Sequence, residues 1–77
     1  MSIKVYYFAS LKEHVGHSEH ELEFIQSLTV KEVWFEANAD LALPKNTLAA
    51  VNMEYVDWNS LVIDGDVVAF FPPVTGG

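Results

Sequence analysis

The stretch "DGDVVAFFPPVTGG", residues 64–77, ends the chain and constrains how the rest of it folds. Its Asp-Gly-Asp opening is typical of a turn between strands, because Asp and Gly are turn formers. Residues 67–71, "VVAFF", are continuously apolar, which predicts a strand buried on both faces of a sheet. Pro72 and Pro73 lack the N–H groups that a sheet requires, so we expect the strand to stop before them.

Further strands are predicted upstream of this stretch. Residues 2–9 are rich in Ile, Val, Tyr and Phe, and residues 19–25 alternate between charged and apolar side chains. Residues 48–51 predict a short buried strand, and residues 55–56 predict a brief return strand. The order is therefore strand, strand, main helix, and then two or three strands.

Two helices are predicted from capping signals. Residues 10–13, "SLKE", fit a capping box with the serine as N-cap, and Gly16 suits a left-handed end for this short helix. Residues 29–32, "TVKE", fit a second box, and the main helix that follows should end near residues 38–40. Its apolar stripe consists of Val30, Val33, Trp34 and Ala37.

One helix across one face of a mixed sheet is an α+β sandwich. This order of elements resembles the β-grasp, or ubiquitin-like, fold, in which the first and last strands pair at the centre of the sheet. Local patterning by itself does not fix that strand order. The chain shows no repeat or linker, so we interpret it as one β-grasp domain, residues 1–71, and an extended tail, residues 72–77.

The composition argues against several classes of function. The absence of cysteine rules out a disulfide framework, a cysteine-built zinc site and a nucleophilic thiol. The 77 residues include only 4 lysines and arginines against 11 carboxylates, so nucleic-acid binding is disfavoured and a basic protein partner is favoured. We find no secretory leader and no segment of membrane-spanning length, so a cytoplasmic location without membrane insertion is expected.

The tail, residues 72–77, combines a stiff spacer with two glycines. The prolines and the β-branched residues after them favour an extended chain. The glycines have no Cβ, so they could enter a passage too narrow for other residues. We therefore predict that the tail projects from the domain and threads into a partner; a chance glycine pair is the alternative.

The reactive group of such a tail is the α-carboxylate of Gly77. It is ionised at neutral pH and is a poor acyl donor, because oxide is a poor leaving group. Adenylation by ATP would make it reactive, and a sulfur nucleophile would then give a thioester or a thiocarboxylate. The chain has no glycine-rich phosphate loop and no arginine with which to bind ATP, so a partner enzyme must activate the tail.

Histidines at positions 14, 17 and 20 suggest a metal site by their spacing. Gly16 breaks the helix between the first two, and the third falls on a predicted strand. We therefore favour solvent-exposed histidines, and no metal is expected.

The carboxylates of Asp64 and Asp66 are better explained by a turn than by a catalytic pair or a cation site. The row of Glu19, Glu21 and Glu23 predicts the solvated face of a strand rather than an active site.

Aromatic residues near the end of the chain have two possible roles. Trp58 could cover an edge of the core or help a partner to dock. Phe70 and Phe71 alternate in direction along the last strand, so one of them could face outward beside the tail, where an aromatic would anchor an interface. Coverage of both rings by a helix or loop is the alternative.

Several segments resemble the small, sulfur-carrier subunits of molybdopterin synthase. The matching pieces are "AVN-x-EYV", "DGD-x-VAFFPPV", the final Gly-Gly, and the opening "IKVYYFASLKEHVG". Together they cover about half of the chain, and residues 25–47 carry no matching motif. The Phe-Phe-Pro-Pro run distinguishes this pattern from the arginine-bearing tail of ubiquitin and from the thiamine-pathway carrier.

The resemblance implies a sulfur donor that is not itself a catalyst and binds no cofactor. In the family, a ubiquitin-activating-like adenylyltransferase uses ATP to adenylate the last glycine, which becomes a thiocarboxylate. The tail then enters the large synthase subunit, where the sulfur helps to build the dithiolene of molybdopterin. Carried onto this chain, the resemblance makes Gly77 the sulfur-bearing residue. Gly76 is then the neighbour whose missing side chain leaves room for the tail in a narrow passage. The implied tail and docking residues are Phe70, Phe71, Pro72, Pro73, Val74 and Thr75.

Three alternatives stay open from the sequence. The chain could carry sulfur for another pathway, such as thiamine, tRNA thiolation or tungsten-cofactor synthesis. It could be a ubiquitin-like modifier that is joined to lysines. It could also be an interaction module whose tail is chemically inert.

Overall fold

The computed structural model describes residues 1–73, and residues 74–77 lie outside the described part. The described elements are β1 (Ser2–Tyr7), α1 (Ser10–Val15), β2 (Glu19–Glu23), β3 (Leu28–Thr29), α2 (Val30–Ala37), β4 (Leu48–Val51), β5 (Glu54–Val56), β6 (Leu61–Val62) and β7 (Val67–Phe71). The predicted α+β class is confirmed. Neither α1 nor α2, the helices of the described part, is long and apolar enough to cross a membrane.

The main sheet of the described chain has the strand order β2-β1-β7-β4-β5. β1 and β7 are parallel, and the other neighbouring strands are antiparallel. The central pairing of the first and last strands is the arrangement that the β-grasp resemblance implied. A second, two-stranded sheet of β3 and β6 was not predicted, because strands of two residues are too short to show alternation.

The core lies between the main sheet and the two helices. Trp34 of α2 and Phe70 of β7 are fully buried at its centre, with their ring centroids 5.2 Å apart and their planes nearly perpendicular. Trp58 is half-buried and stacks on the Phe70 ring, with centroids 5.9 Å apart. The structure therefore assigns Trp58 to the cover of the core, one of its two possible roles.

The two capping predictions have different outcomes. The box that begins α2 is confirmed: Thr29 Oγ1 accepts from the Glu32 amide at 3.1 Å, and Glu32 Oε1 accepts from the Thr29 amide at 2.8 Å. The box at residues 10–13 is wrong, because Ser10 is already helical and the N-cap is Ala9, whose side chain cannot cap. Gly16 ends α1 at φ 85°, the predicted left-handed conformation.

The last strand is buried on one face only, so the prediction of burial on both faces is wrong. Val68 and Phe70 have no exposed surface, whereas Val67 is 37 % exposed and Phe71 is half-buried. The buried residues of both helices belong to the same core cluster as the inward residues of β1 and β7. Both helices thus cover one face of the sheet and leave the other face of β7 partly open to solvent.

A hydrogen-bonded clasp joins the β4–β5 turn to the start of β7. Asn52 Nδ2 donates to Asp66 Oδ1 at 2.9 Å, and the Val67 amide donates to Asn52 Oδ1 at 3.0 Å. Asp66 Oδ2 also accepts from the Ile63 amide at 2.9 Å. The clasp shows why the asparagine of "AVN" and the second aspartate of "DGD" occur together in this chain.

Replacing Asp66 with alanine should lower the free energy of unfolding by about 1–3 kcal/mol, since two hydrogen bonds to a charged group are lost. The matched control is Asp64→Ala, because Asp64 is an exposed aspartate in the same turn. Urea denaturation followed by circular dichroism measures both variants. Equal losses for the two substitutions would show that the clasp contributes nothing specific.

Candidate docking face and tail root

The face of the main sheet that points away from the helices, here called the outer face, is largely apolar. Strand register aligns Tyr6, Ala69, Ala50 and Tyr55 in one row across β1, β7, β4 and β5. With their neighbours they form an open groove of about 350 Å³. Its lining residues are Tyr6, Phe8, Ala50, Met53, Tyr55, Val67, Ala69 and Phe71.

Several of these side chains are strongly exposed. Tyr55 is 72 % exposed, Phe8 is 51 % exposed and Met53 is 99 % exposed. The Tyr55 ring meets Phe71 edge-on, with ring centroids 5.5 Å apart. Aromatic and methionine side chains are enriched at protein interfaces, and a contiguous exposed apolar patch is typical of an interaction site. The outer face is therefore suited to burial against another protein.

A row of carboxylates borders the apolar groove on one side. Glu19, Glu21 and Glu23 are exposed on β2, as the sequence predicted. Register places them opposite Tyr6, Lys4 and Ser2, so their side chains share the outer face. A complementary partner would have an apolar centre and basic residues along one border.

The tail begins where β7 leaves this face. Phe71, half-buried on the outer face, is followed directly by Pro72, which is half-buried, and by Pro73, which is exposed. Phe70 is fully buried in the core, so it has no surface to offer a partner. Of the docking residues implied by the resemblance, Phe71 thus lies on the outer face and Phe70 does not. Val74, Thr75, Gly76 and Gly77 lie outside the described residues.

The outer-face residues on β1 and β5 were not identified from the sequence as docking candidates. Tyr6 and Phe8 were recognised only as sharing one face of the first strand with Lys4, and Tyr55 only as part of a short strand. Their common surface depends on which strands are neighbours. That information comes from the topology and not from local alternation.

The three histidines lie near one another on the other side of the sheet, where Tyr7, Asn38 and His20 form a hydrogen-bonded cluster. Asn38 Nδ2 donates to the Tyr7 hydroxyl oxygen at 2.9 Å, and the same hydroxyl is hydrogen-bonded to His20 Nδ1, also at 2.9 Å. His14 and His17 are exposed as expected, but His20 is half-buried, so that expectation is wrong for His20. The reason is its inward position on β2 beside Tyr7, with the two ring centroids 5.4 Å apart.

The cluster does not have the arrangement of a metal site. His20 Nδ1 is already hydrogen-bonded to the Tyr7 hydroxyl at 2.9 Å. Within residues 1–73, no group of three or more His, Asp or Glu side chains is placed to hold a metal ion.

Burial shifts the acid–base behaviour of this cluster. It raises the pKa of Tyr7, against a smaller opposing effect of the hydrogen bond from Asn38. Burial also lowers the pKa of His20, and the nearby charge of His17 lowers it further. Tyr7 is thus a stable hydrogen-bond donor at neutral pH, and folding favours the neutral form of His20.

Stability should decrease below neutral pH because of His20. The unfolded chain takes up a proton near pH 6.5, whereas folded His20 takes it up only at lower pH. The free energy of unfolding should therefore fall as the pH drops from about 6.5 and level off below the folded pKa. Urea denaturation of the wild type and of His20→Gln across this range measures the effect. Identical pH profiles for the two proteins would contradict it.

These features define a class of protein: a ubiquitin-like β-grasp protein with an apolar sheet face next to a tail that ends in two glycines. Residues 5–77 match the ThiS family. The chain is 41% identical over 80 residues to the molybdopterin synthase sulfur carrier subunit of Escherichia coli K12, with 97% of this chain and 99% of that protein covered. It is 38% identical to the subunit of the same name from Haemophilus influenzae, with the same shares covered. The chain belongs to the ThiS family.

Solved structures show the same fold. Subunit 1 of the molybdopterin converting factor from Pyrococcus furiosus has a TM-score of 0.76 and 30% identity, covering 96% of this chain and 99% of that chain. SAMP1 from Haloferax volcanii has a TM-score of 0.77 and 25% identity, with both chains covered completely. A complex of subunits 1 and 2 of the molybdopterin-converting factor from Helicobacter pylori matches with a TM-score of 0.61, 25% identity and complete coverage of both chains.

Proposed function

We propose that this chain carries sulfur for molybdopterin synthesis, as the small subunit of a molybdopterin synthase, and that Gly77 bears the sulfur. One observation carries the proposal. The exposed apolar face continues along β7 into Pro72 and Pro73, in a chain 41% identical to a molybdopterin synthase sulfur carrier subunit. A candidate docking surface and the root of the tail are thus adjacent, which supports a donor protein that presents its chain end to a partner.

The proposed chemistry begins with the α-carboxylate of Gly77. A carboxylate oxygen bonds to the α-phosphorus of ATP, and pyrophosphate leaves. Hydrosulfide released by a sulfur donor then attacks the activated carbonyl carbon and AMP leaves; loss of the remaining proton on sulfur gives a thiocarboxylate. The ATP and the catalytic groups belong to a ubiquitin-activating-like adenylyltransferase, and the carrier contributes only the reacting carboxyl group.

The second partner in the proposal is the large synthase subunit. The Helicobacter pylori relative is solved in complex with subunit 2, which supports a partner of this kind. On this chain, Tyr55 and Phe71 would dock against the apolar centre of the partner, and the carboxylates of β2 would face its basic border. In the proposal, residues 72–77 then enter the partner, where the thiocarboxylate sulfur bonds to a carbon of a pterin precursor and displaces an oxygen leaving group. Water hydrolyses the bond between that sulfur and the Gly77 carbonyl carbon, so the sulfur stays on the pterin and the carrier is released as a carboxylate.

A second candidate function is covalent modification of proteins. This chain shares the fold of SAMP1 from Haloferax volcanii. The name of that protein is small archaeal modifier protein 1. A modifier would use the same activated Gly77 carbonyl but transfer it to a lysine amine. The two functions therefore differ in the nucleophile that displaces AMP and not in the fold.

Reconstitution distinguishes these functions. The full chain is incubated with ATP, a sulfur source and candidate adenylyltransferases, and its intact mass is followed. We expect a terminal thiocarboxylate that supports molybdopterin formation when the large subunit and the pterin precursor are added. Lysine conjugates without a thiocarboxylate would favour the modifier. A thiocarboxylate that serves only thiamine or tRNA thiolation would place the carrier in another pathway.

A further inference from the structure

A groove separates the root of the tail from a surface of the domain that is here called the wall. Pro72 and Pro73 form one side of a groove of about 320 Å³, and side chains from α1 and from the loop before β4 form the rest. These side chains are Ser10, Leu11, His14, Pro44, Lys45 and Thr47. The loop, residues 38–47, connects α2 to β4 and is here called the 38–47 loop.

The first half of the 38–47 loop is fixed to both helices. Trp34 Nε1 donates to the carbonyl of Leu41 at 3.0 Å, from within the core. His14 Nε2 on α1 donates to the carbonyl of Ala42 at 3.3 Å. The Asn38 amide donates to the carbonyl of Trp34 at 2.8 Å and ends α2. These bonds connect the loop to both helices.

The second half of the loop is closed by Thr47. Its side chain is buried, and its Oγ1 donates to the carbonyl of Pro44 at 2.7 Å. The Thr47 amide approaches the same carbonyl at 3.4 Å, around a turn in which Asn46 has φ 63°. Thr47 therefore fixes the shape of the turn that carries Pro44 to the groove.

Thr47 also lies across the sheet from the point where the tail starts. β4 and β7 are antiparallel, with Leu48 opposite Phe71, so continuing the register places Thr47 opposite Pro72. Proline has no N–H and cannot extend the ladder toward the loop. The direction of the tail at its root must then be set by packing, and the wall is the part of the described chain that borders it there.

We infer that Thr47 is a positioning residue: the turn it closes sets the direction in which the tail leaves the sheet. The inference rests on the proposed function and deepens it. Gly77 follows Pro73 by four residues in the sequence, so a change of direction at the root would displace the reacting carboxylate. Misplacement of reacting groups by about 1 Å can cost a rate factor of about 100.

A matched pair of substitutions tests the inference. Thr47→Val keeps the shape of the side chain and removes the hydroxyl donor, whereas Thr47→Ser keeps the donor. Steady-state thiocarboxylate formation by the adenylyltransferase is measured with the full chain as substrate. Thr47→Val should lower kcat about tenfold or more while KM for the carrier changes less than about twofold, because Thr47 is buried and the surface offered to the enzyme is unaltered. Thr47→Ser should keep the kcat of the wild type.

Thr29→Val controls for loss of stability. It removes the capping hydroxyl of α2 and so lowers stability, but Thr29 is not among the residues that border the tail root. It should leave kcat unchanged. A wild-type kcat for Thr47→Val, or an equal fall for Thr47→Val and Thr29→Val, would overturn the positioning role alone. A wild-type chain that forms no thiocarboxylate would overturn the proposed function as well.

Discussion

Deletion of Gly77 is expected to abolish thiocarboxylate formation while leaving the fold intact. The shortened chain would end one residue earlier, so its carboxylate would lie about 3 Å short of the position at which the enzyme acts. An offset of that size exceeds the misplacement that already costs a rate factor of about 100. Appending one residue after Gly77 should have the same effect, since the carboxylate moves past that position and a side chain enters the passage. Intact mass after reconstitution measures both variants.

An added residue before Met1 is the matched control. Met1 is 93 % exposed at the start of the chain, so the extra residue there should change neither folding nor thiocarboxylate formation. Within residues 1–73, the last buried member of the core cluster is Phe70, and the tail variants should therefore keep the circular dichroism spectrum of the wild type. A tail-extended variant that supports molybdopterin synthesis without being trimmed would contradict the role of Gly77.

Replacement of Phe71 with alanine is expected to weaken binding to the large synthase subunit by at least about 30-fold, corresponding to about 2 kcal/mol. Phe71 lies on the outer face at the last position before the tail and contacts Tyr55 edge-on. A central aromatic of this kind is a typical interface hot spot, and its position means that docking and tail insertion involve neighbouring residues. Titration calorimetry with the purified large subunit measures the affinity.

The matched control for Phe71 is Phe35→Ala. Phe35 is also an exposed aromatic, 41 % exposed, but it lies on α2 and not on the outer face. Its truncation should leave the affinity for the large subunit unchanged. Equal affinities for Phe71→Ala, Phe35→Ala and the wild type would show that the partner docks elsewhere on the domain.

The parts of the fold that could be predicted are those encoded by neighbouring residues. The Thr29–Glu32 box was confirmed because both partners of each hydrogen bond lie within one helical turn. The inward set of the first strand, Ile3, Val5 and Tyr7, follows from simple alternation and is buried. The central pairing of β1 with β7 came from the resemblance to a known fold and not from either strand alone.

The parts that could not be predicted depend on residues distant in sequence. Asn52 and Asp66 are 14 residues apart, and a turn explained each of them without the clasp. His20 is half-buried because Tyr7 and Asn38, from two other elements, meet beside it. The capping box at Ser10 failed because the chain enters α1 through Ala9 at φ 53°, a conformation that its sequence does not signal.

The prediction that both faces of β7 are buried failed for a different reason. An apolar run predicts burial on both faces, and the described chain covers only one of them. The same residues line the groove that we assign to the partner. Burial of both faces is therefore expected in the complex, where the partner replaces solvent over Val67, Ala69 and Phe71. The sequence pattern and the proposed docking face then have the same physical explanation.

The most direct test of sulfur carriage is the intact mass of the full chain purified from its native host. Sulfur carriage by Gly77 predicts a population heavier by the replacement of one oxygen with one sulfur, with the extra mass localised by fragmentation to the C-terminal residue. An unmodified mass throughout, in cells that make molybdopterin, or sulfur found at any other residue, would contradict it.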